Sequence, residues 1–136
     1  MRRRTKAREY ALQLLYKSDI TKNPEYEALD SFWKEEELEE EVREFSRQLF
    51  SGVIQNLEVI DNKISGFAEN WNLKRMAVVD RNILRMGSYE LIYMSDIPPK
   101  VSINEAVDLA KKYSGEEAGK FVNGILDRIR EDAGKE

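Results

Sequence analysis

The chain reads PKVSINEAVDLAKKYSGEEAGKFVNGILD over residues 99–127, and this stretch predicts two amphipathic helices in succession. Apolar residues recur in it at intervals of three and four, which is the spacing of one face of an α-helix. Each half contains an S-x-x-E motif, Ser102 with Glu105 and Ser114 with Glu117, and this motif predicts a capping box at the start of each helix. The two apolar stripes are Ala106, Val107, Leu109, Ala110 and Tyr113, then Ala118, Phe121, Val122, Ile125, Leu126 and Ile129.

Upstream of this stretch, the apolar residues from Leu73 to Met94 lie almost all around the helical projection. That pattern is typical of a central helix packed by several neighbours. Gly87 costs this helix about 1 kcal/mol of propensity relative to alanine, so we expect another helix to approach closely there. The Pro98–Pro99 pair predicts the end of the element, because proline lacks the amide donor and restricts the residue before it.

The N-terminal half follows the same helical period. Asn23 followed by Pro24 predicts the start of a short second helix over residues 25–34. Residues 35–44 hold seven glutamates, which we interpret as the solvated face of a further helix. The apolar stripe beneath them predicts one bent helix or two consecutive ones, with Gly52 and Gly66 as the weak points. The stripes of this half are Ala7, Tyr10, Ala11, Leu14 and Leu15, then Leu38, Val42, Phe45, Leu49, Val53, Leu57, Ile60 and Ile64.

No segment shows the alternating pattern of a β-strand, and no repeat or long linker interrupts the chain. A chain of 136 residues is long enough for one domain with its own core. The sequence therefore predicts an all-α bundle of about seven helices in a single domain spanning residues 1–136.

The composition argues against catalysis and against a membrane location. The chain contains neither cysteine nor histidine, so disulfides, thiolate metal sites, histidine-ligated zinc and Ser-His or Cys-His nucleophile pairs are excluded. No apolar run approaches the ~20 residues that span a bilayer. Charged residues interrupt the segment after the basic N-terminus, which argues against a secretory signal. We expect a cytoplasmic protein that is not an enzyme and needs no cofactor or metal.

The first eight residues form a basic arm whose charge opposes that of the remaining chain. Five cations occur there without an acid, while the chain as a whole carries −4, so residues 9–136 carry about −9. This asymmetry favours a polyanionic partner for the arm, with a solvated tail as the alternative. The cations of the arm are Arg2, Arg3, Arg4, Lys6 and Arg8.

Two further places offer the residue types that bind single-stranded RNA, namely an aromatic ring beside a cation or an amide. Tyr16 near Lys17 is one, although the adjacent apolar stripe also allows it a place in the core. The other is the start of the last helix, where Lys120 and Asn123 share a face next to Phe121. Phe121 also belongs to an apolar stripe, so burial remains the alternative for its ring.

Three segments carry a resemblance to a known family: VDRNILRMGSYEL (79–91), PKVSINEAVDLAKKY (99–113) and KFVNGILD (120–127). Together with RRR, ARE and LLY at residues 2–4, 7–9 and 14–16, they resemble the NusB family of bacterial transcription antitermination factors. The resemblance extends over essentially the whole chain and is most specific in the C-terminal half.

The resemblance implies a bundle of two packed helical subdomains, about 1–68 and 69–136. It implies binding to a single-stranded boxA RNA element, with the ribosomal protein NusE as partner, in an antitermination complex on RNA polymerase that is linked to ribosomal RNA maturation. No cofactor or catalysis is implied. The RNA-facing residues would be those of the basic arm, together with Tyr16, Lys120, Phe121 and Asn123. The partner-facing residues would be Asp80, with Arg81 and Arg85 nearby.

A different class of function is also compatible with the sequence. A non-catalytic helical adaptor could use its basic arm to contact an acidic protein surface. The group formed by Lys120, Phe121 and Asn123 separates the two hypotheses, because an adaptor has no need of a base-stacking ring beside an amide.

Overall fold

The computed structural model describes residues 2–23, 38–68 and 72–135, and within these ranges it contains α-helices and one 3₁₀ turn but no strand. The all-α prediction is therefore confirmed. The short helix predicted over residues 25–34 lies outside the described residues. The elements are α1 Arg3–Thr21, α2 Glu40–Gln55, α3 Leu57–Phe67, the 3₁₀ turn Leu73–Arg75, α4 Val78–Tyr93, α5 Pro99–Tyr113 and α6 Glu116–Asp132.

Helix α4 is the central element, because it packs against every other helix that the structure describes. It begins at Val78, whereas the apolar pattern predicted a start at Leu73; residues 73–75 form the separate 3₁₀ turn. The predicted close approach at Gly87 is confirmed. A Cβ placed on Gly87 would lie 2.8 Å from Leu126 Cδ1 of α6 and 3.5 Å from Ala106 Cβ of α5.

The N-terminal half joins the same core. Helix α1 packs against α2 through its predicted stripe, in which Ala7, Ala11 and Leu15 are buried. The long stripe of residues 38–64 forms two consecutive helices, as one of the two predicted alternatives stated. The break lies at Asn56, so the prediction of weak points at Gly52 and Gly66 was wrong.

Both predicted capping boxes are also wrong. Helix α5 begins at Pro99, three residues before Ser102, because proline at the first helical position fixes a helical φ and loses no needed donor. Helix α6 begins after Gly115, whose φ of 109° suits glycine alone. The two serine hydroxyls donate elsewhere: Ser102 to Glu90 at 2.9 Å, and Ser114 to Asp80 at 2.6 Å.

Two expectations concern the bundle as a whole. The division into subdomains near residue 68 stays a prediction, since α4 packs against helices on both sides of that point. Among the described residues, no helix combines the length and apolar character required to cross a bilayer.

Candidate nucleic-acid interface

The basic arm is the first part of α1 and not a tail. The helix begins at Arg3, and Arg2 precedes it in extended conformation without a side-chain cap. The arm's cations lie at the positive end of the helix dipole because the arm is the N-terminus of α1, and no acidic residue of the first turn balances them. Arg2, Arg3, Arg4 and Lys6 are all exposed. This end of the molecule combines free helical amides with guanidinium groups, an arrangement that favours anions.

The exposed cations of the arm have contacts that a phosphate could replace. Arg3 pairs with Glu39 at 3.2 Å and with Glu41 at 2.8 Å, and all three side chains are exposed. The Arg4 guanidinium lies 4.4 Å from the centre of the Phe45 ring. Exposed ion pairs contribute about 0–1 kcal/mol, so an RNA phosphate can displace them at little cost.

Arg8 differs from the other cations of the arm, because its side chain is only 2% exposed. Its Nε and Nη2 donate to both carboxylate oxygens of Glu90, at 2.9 and 2.7 Å, and its Nη1 lies 3.2 Å from Glu105 Oε1. The structure thus places Arg8 in the interior, where it joins α1 to α4 and α5. Arg8 is therefore not part of the candidate interface, contrary to the prediction that it faces RNA.

Tyr16 lies on the exposed face of α1 and is 43% exposed, so the alternative of a place in the core does not hold. Ile20, one turn further along the helix, is also exposed. Lys17 beside it is exposed too. The ring of Tyr16 is therefore accessible to a base.

The third predicted place opens onto a groove of about 670 Å³ between the start of α4 and the start of α6. Phe121 forms part of the wall and is partly exposed, while Lys120 and Asn123 are exposed. Lys120 has a weak exposed contact with Glu117 at 3.5 Å. The groove is lined by Arg75, Met76, Ala77, Asp80, Ser114, Glu117, Ala118, Lys120 and Phe121. It therefore provides a ring, cations and carboxylates around one opening.

The three residues predicted to face a protein partner do not share one environment. Asp80 lines the groove and accepts the hydrogen bond from Ser114. Arg81 and Arg85 point inward, and each is hydrogen-bonded to Asp19, at 2.6–2.8 Å and 2.9 Å respectively. Arg85 also forms a bidentate pair with Asp61. Of the three, Asp80 alone reaches the groove.

The Asp19 cluster is a buried electrostatic site that joins α1 to α4. Burial of the Asp19 carboxyl would raise its pKa, but hydrogen bonds from Arg81 and Asn82 and the charges of Arg85 and Arg81 outweigh this, so the pKa falls to about 2. The same hydrogen bond from Arg81 to Asp19 raises the pKa of Arg81. Asp19 is therefore a carboxylate at any pH at which the protein would act.

Several residues near the interface could not be found from the sequence. Tyr113, predicted as part of a buried stripe, is 46% exposed at the end of α5. Glu90 and Glu105 bind Arg8 although they follow it in the sequence by 82 and about 97 residues. A local sequence pattern cannot reveal a contact over such a separation. One signal was available for Glu90: a charged residue in a helix that is packed by several neighbours requires a partner.

Comparison with known proteins identifies relatives over nearly the whole chain. Residues 5–131 match the model of the NusB family. The transcription antitermination protein NusB of Thermodesulfovibrio yellowstonii is 43% identical over 140 residues, covering 96% of this chain and 93% of that protein. The protein of the same name from an Anaeromyxobacter species is 48% identical over 128 residues, covering 93% and 89%.

Solved structures resemble the fold equally closely. T. maritima NusB superposes with a TM-score of 0.84 at 39% identity, covering 95% of this chain and 91% of that one. A chain from the crystal structure of the antitermination factors NusB and NusE in complex with dsRNA gives a TM-score of 0.87 at 33% identity, covering 97% and 98%.

Proposed function

The chain belongs to the NusB family, and on that premise we propose that it is an antitermination factor that binds a boxA-type single-stranded RNA together with NusE. In this role it supports processive transcription of ribosomal RNA operons and ribosomal RNA maturation, within a complex on RNA polymerase. It acts in the cytoplasm as a binding protein, without catalysis or cofactor.

The observation that carries the proposal is the accessibility of a ring and of cations at two places on one small bundle. Exposed Arg2, Arg3 and Arg4 extend from the positive end of α1. Lys120 and Phe121 line the groove at the start of α6. Guanidinium groups bind phosphates through charge-assisted hydrogen bonds, and bases stack on aromatic rings. Tyr16 and Asn123, both exposed, extend these contacts.

NusE as a partner is supported by the charge of the chain and by the neighbouring structure that contains both proteins with RNA. Outside the arm the chain is strongly acidic, which opposes RNA at long range. A basic ribosomal protein would reduce that repulsion. We propose Asp80 as a partner contact, because it is accessible in the groove, whereas Arg81 and Arg85 are held in ion pairs with Asp19 and Asp61.

The test is fluorescence anisotropy with a boxA-type single strand and a scrambled strand of the same composition, each with and without NusE. We expect preference for the boxA strand and tighter binding with NusE. Four exposed arm cations should give a log-log salt dependence with a slope of about −2.8, at roughly 0.7 per phosphate contact.

The outcomes separate the two classes of function. Equal binding of both strands would leave only non-specific electrostatic binding by the arm. Absence of binding to either strand, with NusE binding intact, would contradict the proposal and favour the helical protein–protein adaptor.

A further inference from the structure

We propose that Glu105 and Thr5 position the basic arm for RNA, as the outer part of a polar clasp that joins the start of α1 to α4 and α5. The clasp consists of Thr5 and Arg8 on α1, Glu90 on α4, and Ser102 and Glu105 on α5. This inference rests on the proposed RNA-binding function. It assigns no RNA contact to Glu105; the residue acts through the arm.

The arm needs such a support because its own sequence disfavours a helical first turn. Arg2 provides no side-chain cap, and no acidic residue stands in the first turn to balance the dipole. Three consecutive arginines, residues 2–4, also repel one another at this end. An isolated helix with this start would fray within its first turn. The helical geometry of residues 3–6 must therefore be stabilised from outside α1.

The exposed contacts of Arg3 and Arg4 provide part of that stabilisation, and the clasp adds short hydrogen bonds that are shielded from water. The Thr5 hydroxyl donates to Glu105 Oε1 at 2.6 Å, and Arg8 Nη1 lies 3.2 Å from the same oxygen. Glu105 is only 14% exposed. The charge of the carboxylate is balanced by Arg8, whose other nitrogens bind the fully buried Glu90. Ser102 completes the set by donating to Glu90.

The clasp also links the arm to the helices that form the groove beside Lys120 and Phe121. Glu105 belongs to α5, which packs closely against α6, the helix that bears Lys120 and Phe121. A second tie, from Lys112 to Glu9 at 2.6 Å, joins the same two helices α5 and α1 further along. Under the proposed function one strand contacts both the arm and the groove, so an arm that the clasp no longer holds would lose additional conformational entropy when RNA binds.

The experiment measures boxA RNA binding by anisotropy for Glu105→Gln and Thr5→Val in the full chain. Glu105→Gln keeps the shape but removes the charge, and Thr5→Val removes only the hydroxyl donor. We expect each to weaken RNA binding roughly 2- to 10-fold, the equivalent of one lost hydrogen bond. Weaker binding by Glu105→Gln would distinguish a positioning role from a simple charge effect, because removal of a negative charge by itself would strengthen RNA binding. Glu58→Gln, at an exposed position of α3, is the matched charge control and should not weaken binding.

A double-mutant cycle separates positioning from general destabilisation. In a chain in which Arg2, Arg3 and Arg4 are replaced by glutamine, Glu105→Gln should change RNA affinity less than twofold. An equal loss with and without the arm cations, or no loss with them, would overturn the inference while leaving the proposed function intact. If replacing the three arginines leaves RNA binding unchanged, the arm has no role, and the RNA-binding proposal in its present form fails as well.

Discussion

Asp19→Asn tests the electrostatic account of the contact between α1 and α4. The substitution keeps the size of the side chain but removes the negative charge that Arg81 and Arg85 share. Asp19 is only 7% exposed, so water replaces little of what is lost. Arg85 keeps its pair with Asp61, whereas Arg81 keeps only long contacts of 3.5 Å to backbone carbonyls. The main cost therefore falls on Arg81.

The expected magnitude follows from the depressed pKa. The pKa of the Asp19 carboxyl falls from 3.8 to about 2 on folding. Because one pKa unit corresponds to about 1.4 kcal/mol, the charge of Asp19 stabilises the fold by about 2 kcal/mol. The incompletely compensated Arg81 adds to this, so we expect Asp19→Asn to lower the free energy of unfolding by about 2–4 kcal/mol at pH 7. Because the folded pKa is the lower one, this contribution is complete above pH 3.8 and is lost as the pH falls toward 2.

The assay is urea unfolding of the parent and the variant, followed by circular dichroism at a series of pH values from 7 to 2. The difference in the free energy of unfolding between the parent and the variant should become about 2 kcal/mol smaller as the pH falls from 7 to 2, since protonated Asp19 resembles asparagine. Asp96→Asn, at an exposed position, should change stability by less than about 0.5 kcal/mol throughout. A difference that stays constant down to pH 2 would refute the electrostatic account.

Three other substitutions test the interface and the packing. Phe121→Ala should weaken boxA RNA binding by about 1–3 kcal/mol with an unchanged helical spectrum; a parallel loss of helical signal would instead make the ring a core residue. Glu41→Gln should strengthen RNA binding severalfold in anisotropy titrations, because it removes the shorter of the two ion pairs of the exposed Arg3 and leaves only the contact with Glu39 at 3.2 Å. Weaker binding would contradict this competition. Gly52→Ala should lower the free energy of unfolding by about 1–3 kcal/mol in thermal denaturation, since the added methyl group would overlap the Tyr89 ring. The matched change Gly66→Ala meets no neighbour and should raise stability by up to about 1 kcal/mol, so equal effects of the two would exclude the overlap as the cause.

The helical architecture could be predicted because the apolar period is strong in α2, α3, α5 and α6, and burial at positions such as Leu49 and Leu126 follows it. The helix boundaries were less predictable. At Ser102 and Ser114 the capping motif competed with the backbone restrictions of Pro99 and Gly115, and the backbone restrictions prevailed.

The candidate interface was predictable in composition but not in exposure. Arg8 has the same charge as its neighbours in the arm, yet its position on α1 turns it toward Glu90. Arg81 and Arg85 are directed inward by Asp19 in the same way. In each case the deciding partner lies more than 60 residues away in the chain, beyond the range of any local pattern. Only the assembled bundle separates the cations that face solvent from those that hold helices together.

The hydrogen bond between Thr5 and Glu105 spans 100 residues, and this has a consequence for synthesis of the protein. At about 5–20 residues per second, the ribosome needs on the order of 5–20 s to produce the chain between them. Until then Arg8 lacks Glu105, and its other partner, Glu90, itself follows Arg8 by 82 residues. The clasp that supports the basic arm can therefore form only after α5 has been synthesised.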